Sequence, residues 1–67
     1  MRIEINGEPR NVADESYLSD LVSELSLPPE RLAIELNKEV VRRTDWATTP
    51  VMEGDRIEIV QFVGGGQ

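Results

Sequence analysis

The residues best suited to chemistry in this 67-residue chain stand at its C-terminal end, where Gly64, Gly65 and Gly66 precede Gln67. Glycine has no side chain to pack and loses more conformational freedom on ordering than any other residue. No helix follows these glycines, so they do not form a phosphate-binding loop. A narrow glycine tail can instead enter a deep channel and present a carboxyl group to another protein's active site. A frayed end is the other interpretation, but the glycines directly follow a strong strand, which favours a functional tail.

The last predicted strand, residues 56–63, supplies a second candidate site. If Ile57 and Ile59 face a helix, strict alternation turns Val60 and Phe62 to the opposite side of the sheet. Apolar side chains exposed just before the tail would form a surface for a partner protein. A β-bulge near Val60 would instead turn both side chains into the core. The sequence leaves both arrangements open.

Other residue types offer little for catalysis. The chain has no histidine and no cysteine, so the commonest general base, the commonest metal ligand and the thiol nucleophile are all missing. Asp20 and Glu24 share one helix face, but two carboxylates without a third ligand bind a metal ion poorly. The serines lack an activating histidine, and Lys38, the single lysine, falls in a predicted turn. We therefore expect a protein that is not an enzyme and binds no metal or cofactor.

Composition restricts the class of partner. Thirteen acidic against seven basic residues give a net charge of −6, which argues against nucleic acid or an anionic membrane as a partner. The hydrophobic share of 39% suits a small folded domain rather than a disordered chain. The sequence has no apolar run near the ~20 residues of a membrane span, and no signal-peptide pattern at its start. These features predict a cytoplasmic protein.

The first half of the chain predicts a hairpin and a helix that could support the tail. Residues 2–5 alternate polar and apolar, and Asn6-Gly7 favours a type I′ turn into a return strand over residues 8–12. A stripe at helical spacing predicts a helix over residues 17–25 with Ser16 as its N-cap, ended by Pro28-Pro29. The stripe consists of Leu18, Leu21, Val22 and Leu25.

The second half predicts more sheet. Residues 32–36 alternate, Asn37-Lys38 marks a turn and residues 39–41 return; residues 43–49 are irregular or one helical turn, with Thr44 as a cap and Trp46 over the core. This order predicts an α+β, β-grasp (ubiquitin-like) fold: a mixed four- to five-stranded sheet packed on one main helix, with the first and last strands central. Residues 1–63 would form one domain and residues 64–67 a flexible glycine tail.

The sequence also resembles a known protein family. Residues 55–66, DRIEIVQFVGGG, closely resemble the C-terminus of the ThiS-like sulfur carrier proteins of thiamine biosynthesis. The resemblance extends along nearly the whole chain through Asn6-Gly7, the helical stripe, residues 35–41, Trp46 and Gly54-Asp55. Terminal glycines alone are a weak motif, whereas this combination in a chain of this length is specific.

The resemblance implies a protein co-substrate. An E1-like adenylating enzyme would use ATP to activate the carboxylate of Gly66, and a sulfur donor such as a cysteine desulfurase would convert it to a thiocarboxylate. Thiazole synthase would then take the sulfur for the thiazole ring. By residue matching, Gly64 and Gly65 would thread the enzyme's channel.

Two departures and several alternatives accompany this resemblance. Related carriers usually end at a glycine, whereas Gln67 follows Gly66 here, and Val41-Arg42-Arg43 stands where many relatives have proline before arginine. Either Gln67 is removed or the reactive end lies one residue later. The small subunit of molybdopterin synthase and carriers for other biosynthetic sulfur share the fold and tail. A ubiquitin-like interaction module with a chemically inert tail is the alternative from another class.

Overall fold

The computed structural model describes residues 1–62, and these residues form one sheet with one α-helix against it. In chain order the strands are β1 Arg2–Ile5, β2 Glu8–Asn11, β3 Leu32–Leu36, β4 Glu39–Val41 and β5 Arg56–Gln61. The helix α1 is Leu18–Leu25, and two short 3₁₀ helices are Pro29–Arg31 and Arg43–Thr48.

The sheet has the order β2-β1-β5-β3-β4, in which β1 and β5 are parallel and the other neighbours are antiparallel. A mixed five-stranded sheet holding one main helix is the predicted β-grasp fold. The last strand is the middle of the sheet and the first strand lies beside it, as the apolar content of both predicted. The weak return strand β2, which contains Pro9, lies at an edge, where a missing backbone N–H costs no ladder bond.

Both predicted turns between paired strands are confirmed. Asn6 and Gly7 have φ of 52° and 83°, the pair of positive angles that a type I′ turn requires. Asn37 and Lys38 repeat this geometry between β3 and β4, with φ of 52° and 72°. These tight turns fix the register of each hairpin, so the side chains of β1 and β3 present fixed faces to α1.

The helix begins one residue later than predicted. Tyr17 is the N-cap, and its backbone N–H donates to the carboxylate of Asp20 at 2.7 Å. Ser16 was expected to cap the helix, and that prediction is wrong. The carbonyl of Ser16 accepts the N–H of Val51 at 2.9 Å, while its hydroxyl donates to the carbonyl of Ala13 at 2.6 Å. Because Ser16 is bonded to Val51 and Tyr17 forms a bridge with Pro50, the chain stays paired with residues 50–51 until the helix starts at Leu18.

The helix also ends before the two prolines that were expected to stop it. Ser26 adopts a left-handed conformation with φ of 57°, and its N–H donates to the carbonyl of Ser23 at 3.1 Å. This is the usual way in which a helix terminates, although glycine is the preferred residue there. Pro29 then opens the first 3₁₀ helix, where its missing N–H is not needed.

The core lies between α1 and the inner face of the sheet. Its side chains with the least exposure are Ile3, Leu18, Leu21, Ile34 and Ile57. Trp46 closes one end of this core as predicted, and its Nε1–H donates to the carbonyl of Val41 at 2.9 Å. The expected cap, Thr44, does not begin this 3₁₀ helix, whose N-cap is Arg42. Among residues 1–62 no helix is long and apolar enough to cross a membrane.

Candidate functional site

The candidate site depends on which side chains of β5 face α1 and which face away from it. Its pairing with β3 runs without interruption from Ile57, opposite Leu36, to Gln61, opposite Leu32, so no bulge interrupts this stretch. Ile57 is therefore buried at 1% exposure, while Val60 is 55% and Phe62 53% exposed. Of the two arrangements left open by the sequence, the one with outward-facing apolar side chains is confirmed.

These exposed side chains lie on the face of the sheet opposite α1, which carries a third exposed apolar side chain. Val60 lies opposite Ala33 of β3, and Val40 of β4 lies opposite Glu35 on the same face. Val40 is 72% exposed. We call the surface formed by Val60, Phe62 and Val40 the outer patch. Sequence analysis missed Val40, although adjacent valines in one strand must face opposite sides.

Phe62 is the last residue that the structure describes, and a backbone hydrogen bond holds it in place. The N–H of Phe62 donates to the carbonyl of Arg31 at 2.7 Å. The predicted tail residues Gly64, Gly65 and Gly66 lie outside the described residues, as does Gln67. The described part of the chain thus brings Val60 and Phe62 directly to the root of the tail.

Two asparagine side chains hold β5 from its two neighbouring hairpins. Asn6 accepts the N–H of Ile59 at 2.8 Å and donates to the carbonyl of the same residue at 3.2 Å. Asn37 accepts the N–H of Arg56 at 3.0 Å and donates to the carboxylate of Asp55 at 3.1 Å. Sequence analysis gave both asparagines a turn role alone, since nothing in the local pattern indicates a partner in a distant strand.

The remaining candidates for chemistry stay without support. In the part of the chain that the structure describes, no three His, Cys, Asp or Glu residues cluster as a metal site would require. Asp20 and Glu24 were the candidate pair of carboxylates on one helix face. The carboxylate of Asp20 accepts a hydrogen bond at the start of α1, so it acts as a helix-capping group. Lys38 lies in an exposed turn. Among residues 1–62 the candidate site is thus an exposed apolar surface at the end of β5.

Curated relatives include both long and short proteins. A thiazole synthase of Magnetococcus marinus is 43% identical over 67 residues, which are 100% of this chain and 21% of that protein. The chain thus spans about a fifth of the length of the first curated relatives it matches. The sulfur carrier protein ThiS of Bacillus subtilis is 34% identical over 53 residues, covering 79% of this chain and 80% of that protein.

Solved structures agree with these relatives. The crystal structure of a thiamine biosynthesis protein (ThiS) from Geobacter metallireducens has a TM-score of 0.85 and 36% identity, and covers 98% of this chain and 100% of that one. A ubiquitin-like protein from Caldiarchaeum subterraneum, with a TM-score of 0.56 and 18% identity, covers 97% of this chain and 100% of that one and shares the fold. A sequence profile described as ThiS family matches residues 3–66. The chain belongs to the ThiS family.

Proposed function

We propose that this chain is a sulfur carrier of thiamine biosynthesis whose reactive group is the carboxylate of Gly66. The observation that carries the proposal is the family match itself, which extends from residue 3 to residue 66 and includes all three tail glycines. The match ends at Gly66 and leaves out Gln67. This supports Gly66 as the functional end of the tail.

The chemistry requires an activated carboxyl group. An E1-like enzyme brings ATP, and the Gly66 carboxylate attacks its α-phosphorus, displacing pyrophosphate and forming an acyl adenylate. The terminal sulfur of a persulfide, supplied by a donor such as a cysteine desulfurase, then attacks the acyl carbon and displaces AMP. A thiol cleaves the S–S bond of the resulting acyl disulfide, which releases the thiocarboxylate and leaves the thiol joined in a disulfide to the donor's cysteine. Glycine leaves both faces of the acyl carbon unobstructed, and Gly64 and Gly65 let the chain pass through a narrow channel. The carrier is a co-substrate and contributes no catalytic group.

The sulfur acceptor in this proposal is a thiazole synthase. Two relatives that carry that name, from Magnetococcus marinus and Paramagnetospirillum magneticum, contain a segment similar to this chain, which covers 21% and 20% of their lengths. A carrier segment within the same polypeptide would act at a high effective concentration. That arrangement supports a functional link between a chain of this kind and thiazole formation.

The outer patch is the proposed docking surface for the adenylating enzyme and the synthase. Val60 and Phe62 flank the root of the tail and expose more than half of their surface. Apolar side chains at the centre of an interface contribute most of the binding free energy, and Phe62 is the larger anchor. Two acidic side chains on the same face, Glu35 and Glu58, lie in one row with Val40 and would add polar contacts beside Val60.

Mass spectrometry of the intact chain isolated from its host under thiamine limitation tests the proposal. We expect a fraction whose terminal carboxyl oxygen is replaced by sulfur, and no such fraction in a chain that lacks residues 64–67. A terminus that is never modified would contradict the proposal and favour an inert interaction module. Co-purification with a molybdopterin synthase large subunit instead of a thiazole synthase would move the sulfur to another pathway.

A further inference from the structure

We propose that Asn6 is a positioning residue that fixes the end of β5, and with it the direction in which the tail enters the partner enzyme. The inference rests on the proposed function of the tail. It concerns a residue that lies outside the outer patch and outside the tail and belongs to the turn of the first hairpin.

The geometry shows why β5 needs this support. On one side, β5 pairs with β3 as far as Gln61, and the N–H of Phe62 continues the ladder to Arg31. On the other side, pairing with β1 ends at Ile57, opposite Ile5. Beyond that point the chain of β1 turns away into the hairpin.

The side chain of Asn6 replaces the missing strand. The backbone N–H of Asn6 donates to the carbonyl of Ile57 at 2.9 Å. Its side-chain amide then engages both backbone groups of Ile59, accepting at 2.8 Å and donating at 3.2 Å. A side-chain amide that satisfies both the N–H and the C=O of one residue acts as one further rung of the ladder. Within residues 1–62, these are the last hydrogen bonds that hold β5 on the side of β1.

The two hydrogen bonds between the Asn6 side chain and Ile59, which we call the clamp, lie next to the functional residues. Ile59 directly precedes Val60, and Phe62 follows two residues later, so the clamp sets the position of the outer patch and the tail root together. Docking requires these groups in a single arrangement, and any freedom left in the unbound chain must be lost on binding. A clamped strand end has already lost that freedom. We therefore expect Asn6 to act on affinity for the partner enzyme.

The chain contains its own matched control. Asn37 has the same φ of 52°, occupies the same position in a hairpin turn and also holds β5 through its side-chain amide. Its contacts are at Asp55 and Arg56, where β5 begins. Asn6 and Asn37 thus each make two side-chain hydrogen bonds, Asn6 to the backbone of Ile59 and Asn37 to the Arg56 backbone and the Asp55 carboxylate, and only Asn6 is close to the tail.

The experiment compares Asn6→Gly with Asn37→Gly. Glycine adopts positive φ without strain, so each turn is kept while the side-chain contacts to β5 are removed. Each variant is made both as the full chain and as a chain ending at Gly66. The measurements are thermal unfolding, hydrogen exchange at the Ile59 amide, and pyrophosphate release by the adenylating enzyme at varied carrier concentration.

We expect both variants to lose similar stability, about 5 °C in Tm, because each loses two exposed hydrogen bonds. Asn6→Gly alone should speed exchange of the Ile59 amide and raise KM about tenfold with kcat nearly unchanged, since the strand end must be ordered again on binding. Asn37→Gly should leave KM within about twofold of the wild-type value. A rise in KM that is equal in the two variants, or absent in Asn6→Gly, would overturn the positioning role. If the wild-type chain is not adenylated in either form, the proposed function fails, and the inference fails with it.

Discussion

At the scale of single residues, left-handed backbone positions determine much of this fold. Among residues 1–62, five residues other than glycine have positive φ, and two of them are the asparagines of the hairpin turns. Asparagine tolerates this region because its short amide can form local hydrogen bonds. In this chain the amides of Asn6 and Asn37 reach β5 instead, so each asparagine both forms a turn and fastens the hairpin to the central strand.

The preference of asparagine for turns could be predicted from the sequence, and the contact with β5 could not. Asn6 and Ile59 are 53 residues apart, and they meet only because β1 and β5 lie side by side in parallel. That adjacency depends on the whole topology of the sheet. Local pattern therefore gives the conformation of such a residue, and the tertiary structure decides its hydrogen-bond partner.

Ser26 offers a residue-scale prediction about stability. It ends α1 with φ of 57°, a conformation that costs a residue with a Cβ atom more than it costs glycine. We expect Ser26→Gly to stabilise the protein by about 0.5 kcal/mol, despite the larger unfolded-state entropy of glycine. Urea unfolding measures the change.

The matched control is Ser23→Gly, one turn earlier and also exposed. Inside the helix glycine is a poorer helix former than serine, so this variant should lose about 0.5 kcal/mol. A loss of stability in both variants would mean that the entropy glycine adds to the unfolded chain outweighs the relief of the left-handed conformation at Ser26.

The second residue-scale prediction concerns Gln67. In the encoded chain the carboxyl carbon of Gly66 is held in an amide bond to Gln67, so it cannot react with ATP. We predict that the full chain is a poor substrate for adenylation and that a chain ending at Gly66 is adenylated readily. In the host, a peptidase would then have to remove Gln67 before the carrier is activated. The measurement is pyrophosphate release by the adenylating enzyme from both chains, each verified by intact mass. Equal rates with Gln67 in place would move the reactive carboxylate to Gln67.

At the scale of elements, β5 serves the core and the candidate site with opposite faces. Ile57 packs inward, while Val60 and Phe62 point away from α1. Alternation along the strand predicted these two faces from sequence, given one fixed point in the register. The choice against a bulge needed the structure, because uninterrupted pairing with β3 is a property of two strands and not of one.

The start of α1 also could not be predicted from the local sequence alone. Ser16 has the preferred chemistry of an N-cap, and Tyr17 does not. The backbone bond between Ser16 and Val51 nonetheless keeps Ser16 out of the helix, and Asp20 supplies the capping contact to Tyr17 from inside the helix. Intrinsic preference is worth about 1 kcal/mol at such a position, which tertiary contacts readily exceed.

The two faces of β5 lead to an element-scale prediction. Val60→Asp should weaken binding to the adenylating enzyme by about 2 kcal/mol, roughly thirtyfold in Kd, because it places a charge in the apolar centre of the docking surface. Phe62→Asp should act in the same direction. The cost to folding should stay near 1 kcal/mol, since the Val60 side chain is exposed on the sheet. Titration calorimetry and thermal unfolding measure the two effects separately.

Met52→Asp is the control for these substitutions. Met52 is 62% exposed and lies in the loop before β5, away from the tail root, so the same added charge should leave Kd unchanged. An equal loss of affinity in Met52→Asp would mean that total charge governs binding. Unfolding by Val60→Asp without loss of affinity would place that side chain in the core.

At the scale of the whole molecule, stability and proposed function occupy different parts of the chain. The buried side chains that the structure describes run from Ile3 to Ile57, and the exposed apolar residues Val60 and Phe62 follow them. A small domain has little stability to spare, and its core here draws on β1, α1, β3, the second 3₁₀ helix and β5. The segment assigned to chemistry comes after that core is complete.

This separation gives a prediction for the whole molecule, which is tested by deleting residues 64–67. The deletion removes three glycines, which have no side chains, and one glutamine, and it leaves every buried residue from Ile3 to Ile57 in place. We expect Tm to stay nearly unchanged and the free energy of unfolding to change by less than about 0.5 kcal/mol, the usual range for changes away from a core. Adenylation should be abolished, because the remaining terminus at Val63 lacks the glycines that the channel admits.

A substitution in the core, Ile57→Ala, should behave in the opposite way: it should lose about 3 kcal/mol of stability, while the fraction that stays folded is adenylated as before. A clear fall in Tm on deletion would assign residues 64–67 to the folded domain, and retained adenylation would place the reactive carboxylate outside the tail.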